Sequence, residues 1–134
     1  MLNTLHIPSL LAAVAASMVI GAVWYSPMAF GKQWMALVGL TEKQMQKNSP
    51  GRAMAICLVL TVVFGALLQS ILKRTSADTL LESFSVVWPF WLLVVIPLVI
   101  HELFEGRSWR LMALNAAYQA VNVFAMGAVL VVWR

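Results

Sequence analysis

A stripe of carboxamide side chains enters the last apolar stretch of the chain, where hydrocarbon offers no hydrogen-bond partner. Asn115, Gln119 and Asn122 follow one another at spacings of four and three residues. This spacing places them on one narrow face of a helix, with Tyr118 beside them. Because an unpaired amide in lipid is costly, the stripe predicts contact with another helix or with a polar cavity that holds water or a ligand.

A second polar group follows the third apolar stretch. His101 and Glu105 are four residues apart and share a helix face, and Glu102 lies between them. Such a pair could bind a metal at two points, but two ligands do not complete a metal site. The favoured interpretation is a charge cluster in which Glu102 or Glu105 pairs with Arg107 or Arg110, and a proton-linked role is a third alternative.

No catalytic set is recognisable in the sequence. We find no Ser-His-Asp arrangement, no phosphate-binding glycine loop and no complete metal motif. We therefore expect no enzyme, no catalytic residue, no metal and no cofactor. Cys57 is the single cysteine, which excludes a disulfide within the chain. Because it lies in an apolar stretch, it is predicted to be a small apolar residue buried in the membrane.

The composition indicates where these residues lie. The 134-residue chain is 62% hydrophobic and 10% charged, whereas a soluble domain carries about 25% charged residues. The net charge of +4 comes from basic residues in short segments between apolar stretches, which favours a role in membrane orientation over nucleic-acid binding. We predict a single integral membrane domain over residues 1–134.

Four stretches are long enough to cross the hydrocarbon layer as helices, which takes roughly 20 apolar residues. They are residues 7–24, 53–72, 83–100 and 111–133, and none contains Asp, Glu, Lys or Arg. The first lacks the basic start of a cleaved signal peptide, so it is interpreted as a retained span. The predicted fold is all-α: a four-helix transmembrane bundle with a short interfacial helix in the first loop.

The loops predict the orientation. The first and third loops, residues 25–52 and 101–110, share one side, which we call the basic side. They carry Lys32, Lys43, Lys47, Arg52, Arg107 and Arg110, while the other side has Lys73, Arg74 and Arg134. The positive-inside rule places the basic side in the cytoplasm, with dual topology as a second alternative.

Tryptophan positions agree with these boundaries. Trp24 and Trp109 fall at the basic side, and Trp88, Trp91 and Trp133 fall at or near the other, where indoles favour the headgroup region.

The first loop is predicted to be structured. Ser26-Pro27 is typical of a helix start and Gly39 of a helix end, so we predict a short helix over residues 27–38. Thr41 and Gln44 have the spacing of a capping box that starts a further turn. A plain connecting loop and a lid over a binding site both fit this pattern.

Small residues recur at every fourth position on the first two spans. The stripes are Ala13, Ser17 and Gly21, followed by Tyr25, and Cys57, Thr61 and Gly65, followed by Gln69. Such faces allow close helix approach, and we favour packing as their role. Gln69 is also a candidate partner for the carboxamide stripe, and Pro97 predicts a kink in the third span.

Two blocks of the sequence resemble a known family. One contains Trp24-Tyr25-Ser26-Pro27 followed by Phe30-Gly31-Lys32, and the other runs from Phe104 through Trp109 to Tyr118. Both are similar to the bacterial family called "domain of unknown function 1761". The resemblance implies a small four-span membrane protein without an established activity, and from it we expect a bacterial cytoplasmic (inner) membrane. It contributes no catalytic residues and implies that the two blocks meet at one membrane face.

Two roles follow from these patterns. The first is binding or transport of a small amphipathic ligand or lipid, at a site between the fourth-span stripe and the basic side. The candidate ligand-binding residues are Trp24, Tyr25, His101, Glu102, Asn115, Tyr118, Gln119 and Asn122. The alternative is a structural or interaction subunit that oligomerises or docks onto a larger membrane complex. The expected partners are membrane lipids, further copies of the chain and a small amphipathic ligand, but no nucleic acid.

Overall fold

A computed structural model describes residues 5–133 and folds this part of the chain into six helices without strands. They are α1 (Ile7–Trp24), α2 (Gly31–Val38), α3 (Glu42–Lys47), α4 (Pro50–Arg74), α5 (Leu80–Phe104) and α6 (Trp109–Val132). Four of them, α1, α4, α5 and α6, are long and apolar enough to span a membrane. The predicted all-α fold with four spans is confirmed, and the chain is an integral membrane protein by the length and composition of these helices.

Two spans are longer than their apolar stretches because polar residues extend them at both ends. At the start of α5, the Thr79 hydroxyl accepts from the Glu82 backbone N–H, and the Glu82 carboxylate accepts from the Thr79 N–H. Lys73 and Arg74 close the last turn of α4, where positive charge complements the helix dipole. A span predicted from hydropathy alone ends before such polar residues.

The helix in the first loop begins later than predicted. The Ser26 hydroxyl donates to the Val23 carbonyl oxygen at 2.7 Å, so it serves the end of α1 and does not cap a new helix. Residues 27–30 form turns, and α2 starts at Gly31. The predicted end at Gly39 is confirmed, with φ of 78°, and the Thr41 capping box starts α3 as predicted.

The core lies in the half of the bundle away from the first loop. α6 packs against α5, α1 and α4, and its buried residues Val123, Met126 and Leu130 meet Val87 of α5 and Leu72 of α4 in one cluster. All five side chains belong to the helix halves that end on the side opposite the first loop. The bundle is therefore densely packed at one end.

Two glycines make this packing close. A Cβ atom on Gly127 would lie 2.9 Å from the Ser83 hydroxyl oxygen and 3.0 Å from Val87 Cγ2, so α5 and α6 touch there. A Cβ on Gly65 would lie 2.8 Å from Leu10 Cδ1, which brings α4 against α1. Of the two small-residue stripes, Gly65 thus serves packing inside the chain.

Gln69 joins α4 to the start of α1. Its side chain is 2% exposed. Its Oε1 accepts from the His6 N–H at 3.1 Å, while its Nε2 donates to the His6 carbonyl oxygen at 3.2 Å and to the Ser9 hydroxyl at 2.8 Å. The proposed pairing of Gln69 with the carboxamide stripe is therefore wrong, since its partners lie at the opposite end of the bundle.

Trp91 lies deeper than predicted. Because α5 starts at Leu80, Trp91 is about 16 Å along the helix axis, near its middle. Its indole N–H donates to the Ala116 carbonyl oxygen at 3.1 Å, which satisfies the group without headgroup contact. Pro89 and Pro97 both lie inside α5 without ending it; the kink at Pro97 stays a prediction.

Replacing Gln69 tests the joint between α1 and α4. We expect Gln69→Met, which keeps the side-chain length, to lower the free energy of unfolding by about 1–2 kcal/mol, because the His6 N–H and the Ser9 hydroxyl lose a partner in a buried place. Gln46→Met, on the exposed surface of α3, is the matched control and should change little. Thermal unfolding in mild detergent measures both, and equal effects would contradict the assignment.

Candidate functional site

The half of α4 nearest the first loop stands away from α1 and α6. Every residue from Pro50 to Leu60 is exposed, whereas Gly65, Leu68 and Gln69 further along the helix are buried. A helix packed along only part of its length leaves a gap beside the rest. We call this gap the α4 cleft.

Three adjoining cavities make up the α4 cleft. The inner cavity, between α4 and α6, has a volume of ≈ 670 Å³. The α1 cavity, between α4 and α1, measures ≈ 490 Å³, and the loop cavity, beneath α2 and α3, measures ≈ 500 Å³. Cys57 lines all three, and Tyr118 stands between the inner and α1 cavities. Cys57 is therefore exposed to the cleft, on a helix long and apolar enough to span a membrane.

The inner cavity has one polar wall. Gln119 and Asn122 of α6 line it, facing the apolar residues Ile56, Leu60 and Phe64 of α4. The Asn122 Oδ1 atom is buried and has no hydrogen-bond partner among residues 5–133. An unpaired buried acceptor is unfavourable by about 1–3 kcal/mol, so this atom marks a place where a donor is missing.

Asn115 has a different environment from the other two carboxamides. Its Nδ2 donates to Glu102 Oε1 at 2.7 Å, and its Oδ1 accepts from the Tyr25 hydroxyl at 3.4 Å. Burial raises the pKa of Tyr25 to about 12, with smaller contributions from Tyr118 and Glu102, so the hydroxyl keeps its proton at neutral pH. The stripe therefore divides: Asn115 is bonded between helices, whereas Gln119 and Asn122 face the cleft.

An aromatic cluster borders the cleft where α1, α2 and α6 meet near the first loop. The Tyr25 ring meets Tyr118 edge-on at 5.0 Å between centroids and Trp34 at 5.5 Å. Trp24 lies 4.6 Å from Phe30 and 6.1 Å from Tyr118. The Nε1 atom of Trp24 is buried and, among the described residues, has no acceptor. These contacts hold the first loop against α6.

His101 does not join this cluster. Its side chain is 74% exposed, and its Nε2 lies 3.2 Å from Glu105 Oε1. The other Glu105 oxygen accepts from Arg107 Nε at 3.2 Å, which is the charge cluster favoured by the sequence. Within residues 5–133 no group of three or more His, Cys, Asp and Glu side chains is placed to hold a metal ion.

The site thus unites the two sequence blocks singled out above, since Tyr25 bonds to Asn115 and Trp24 contacts Tyr118. The family model described as "Protein of unknown function (DUF1761)" matches residues 8–131. The chain belongs to this family. No curated protein and no solved structure matches the chain. The DUF1761 description assigns no activity.

Sequence reasoning missed the α4 wall of the site in this DUF1761 chain. Cys57 and Thr61 were assigned to packing because they continue the small-residue stripe of Gly65. The spacing correctly predicts that all three share one face of α4. It contains no information on the distance from that face to the next helix, and this distance distinguishes the packed Gly65 from the cleft-lining Cys57.

Gly31 tests the anchoring of the first loop. A Cβ there would overlap the carbonyl oxygens of Tyr25 and Ser26, so we expect Gly31→Ala to displace α2 and lower the melting temperature by several degrees. Gly51→Ala is the matched control, because no atom lies within 4 Å of its added Cβ. Thermal unfolding monitored by tryptophan fluorescence checks both, and an unaffected Gly31→Ala protein would contradict the close contact.

The divided stripe predicts opposite effects for two similar substitutions. Asn115→Leu should lower the free energy of unfolding by about 1–2 kcal/mol, since it removes the partner of a half-buried carboxylate. Asn122→Leu should leave the stability of the unliganded protein unchanged or raise it, because an unpaired acceptor is replaced by an apolar group. Denaturant unfolding of both variants measures the difference, and equal destabilisation would show that Asn122 is bonded.

Proposed function

We propose that the protein binds a small amphipathic molecule of the membrane, such as a lipid, in the α4 cleft. The unpaired Asn122 Oδ1 in the wall of an otherwise largely apolar cavity is the observation that carries the proposal. The Asn122 side chain lines the cavity while its Oδ1 is enclosed, so a bound molecule with a hydroxyl or N–H group would supply the missing donor once the carboxamide turns toward the cavity. Its apolar part would cover Ile56, Leu60 and Phe64.

The size of the cleft supports a ligand of this kind. Sites for small molecules commonly enclose about 300–1,000 Å³, with mostly apolar walls and few polar groups, and the inner cavity of ≈ 670 Å³ falls in this range. Its two carboxamides lie on α6, and its apolar groups lie mainly on α4, which also contributes Thr61. An amphipathic molecule can satisfy both walls, whereas a purely apolar one leaves Asn122 unpaired.

The packing favours binding, or exchange from one side, over a pore through a single chain. The cleft reaches the first loop, where Met45 and Pro50 line the loop cavity. In the other direction it ends where Gly65 meets Leu10 and Met126. The described lining of the three cavities contains no His, Asp or Glu beside Cys57, so the proposal includes no catalytic step.

The alternative role as a subunit of a larger assembly loses one of its supports. The small-residue stripes that suggested a docking face are partly used within the chain, where Gly65 meets Leu10 and Gly21 lies beneath the Tyr118 hydroxyl. A homo-oligomer stays a prediction. The proposed location is the bacterial cytoplasmic membrane with the basic side inward, on the strength of the basic first and third loops.

The single cysteine provides a direct test of occupancy. Cys57 lines every cavity of the α4 cleft, so a bound amphiphile should slow its reaction with a small methanethiosulfonate reagent several-fold. The full chain would be purified in mild detergent, labelled with and without added phospholipid, and the modified fraction measured by mass spectrometry over time.

A matched cysteine on the same helix is the control. In Cys57→Ala/Val59→Cys the thiol moves to a position that is 62% exposed and lines none of the cavities. Its labelling should not respond to the lipid. Equal slowing at both positions would indicate a general lipid effect, and no slowing at Cys57 would contradict the proposal.

A further inference from the structure

We infer that the α4 cleft selects an anionic membrane lipid, whose headgroup is held by Lys47 and Arg52 at the mouth of the cleft. The inference rests on the proposed function, because the acyl chain of the lipid would occupy the cleft itself. It adds the class of the ligand and the residues that recognise it.

A further cavity joins the basic residues to the cleft. This mouth cavity has a volume of ≈ 440 Å³ and lies where α3 ends and α4 begins. Its lining is Lys47, Asn48, Ser49, Arg52, Ala53 and Ile56. It shares Ala53 and Ile56 with the inner cavity and Asn48 with the loop cavity. A single molecule can therefore reach from the basic mouth into the apolar interior.

The charges at the mouth are uncompensated. Within residues 5–133 neither Lys47 nor Arg52 forms an ion pair, whereas Arg107 on the same membrane side pairs with Glu105. No Asp or Glu is among the described residues that line the mouth cavity. The N-terminus of α4 adds its positive dipole end there, and its N-cap Ser49 makes no side-chain capping bond. The mouth is therefore complementary to a negative headgroup.

The interior is complementary to an acyl chain and not to a second charge. The inner cavity continues from Ile56 past Leu60 to Phe64 and Met126, and no charged side chain lines it. From Arg52 to Phe64 the path is about 18 Å along α4, comparable to the roughly 15 Å of hydrocarbon in one leaflet.

Lipid selectivity in the purified full-length protein tests the inference. The probes are phosphatidylglycerol and phosphatidylcholine with identical acyl chains, titrated in a neutral detergent and counted as bound lipid by native mass spectrometry. We expect phosphatidylglycerol to bind roughly tenfold tighter, because each basic residue near an anionic lipid contributes about 1 kcal/mol at most. The double variant Lys47→Gln/Arg52→Gln should lose this preference.

The matched control removes the same charge from the same loop. Lys32 and Lys43 are exposed and line none of the cavities that form the cleft and its mouth, so Lys32→Gln/Lys43→Gln should retain the preference. Thermal unfolding of both double variants verifies that they fold. Inorganic phosphate at matched ionic strength should not displace the lipid, since phosphate has no acyl chain to occupy the cleft.

The outcomes distinguish the assignment of the headgroup to Lys47 and Arg52 from the proposed binding of an amphiphile in the cleft. Equal binding of both lipids by the unmodified protein, or equal loss in both double variants, overturns the headgroup assignment. Lipid protection of Cys57 then still supports the cleft as a binding site. Displacement by inorganic phosphate overturns the lipid as the ligand of the mouth. If neither lipid binds and Cys57 is never protected, the proposed function fails as well.

Discussion

Hydrocarbon cannot form hydrogen bonds, and this constraint governs where each polar side chain of the spans is placed. Gln69 meets it by bonding to the start of α1, Asn115 by bonding to Glu102, and Trp91 by donating to the backbone of α6. Each of these contacts also joins two helices. Asn122 has the same chemistry as Asn115 but lacks a partner for Oδ1 in the described chain. The exception lines the inner cavity, which is why we propose a ligand there.

The dense and the open halves of the bundle depend on each other. At one end Gly65 and Gly127 let helices touch, and the bonds of Gln69 fix the register of α4 against α1. At the other end α4 faces the large side chains of Tyr118 and Tyr25, which occupy the space between the helices. The aromatic cluster separates α4 from α1 and α6, and the cleft follows from this separation.

The sequence predicted what local patterns can determine. The four spans follow from hydropathy, the start of α3 from Thr41 and Gln44, and the division between polar and apolar faces of α6 from residue spacing. The prediction failed where the role of a side chain depends on its hydrogen-bond partner. Ser26 has the right type to start a helix, yet its hydroxyl bonds backwards to Val23. The cleft depends on distances between helices, which no spacing along one helix contains.

The one-sided attachment of α4 has a mechanical consequence. A helix that is held near one end moves most at its other end. The hydrogen bonds of Gln69 hold α4 far from the mouth of the cleft. Small rotations at Gln69 therefore become larger changes in width at Ala53 and Ile56. If the cleft binds a lipid as proposed, it would accept acyl chains of different length and saturation, while Lys47 and Arg52 at the mouth would keep the preference for an anionic headgroup. The variable width of the cleft would then accommodate different acyl chains, and the basic mouth would select the headgroup. Both properties would arise from different parts of α4.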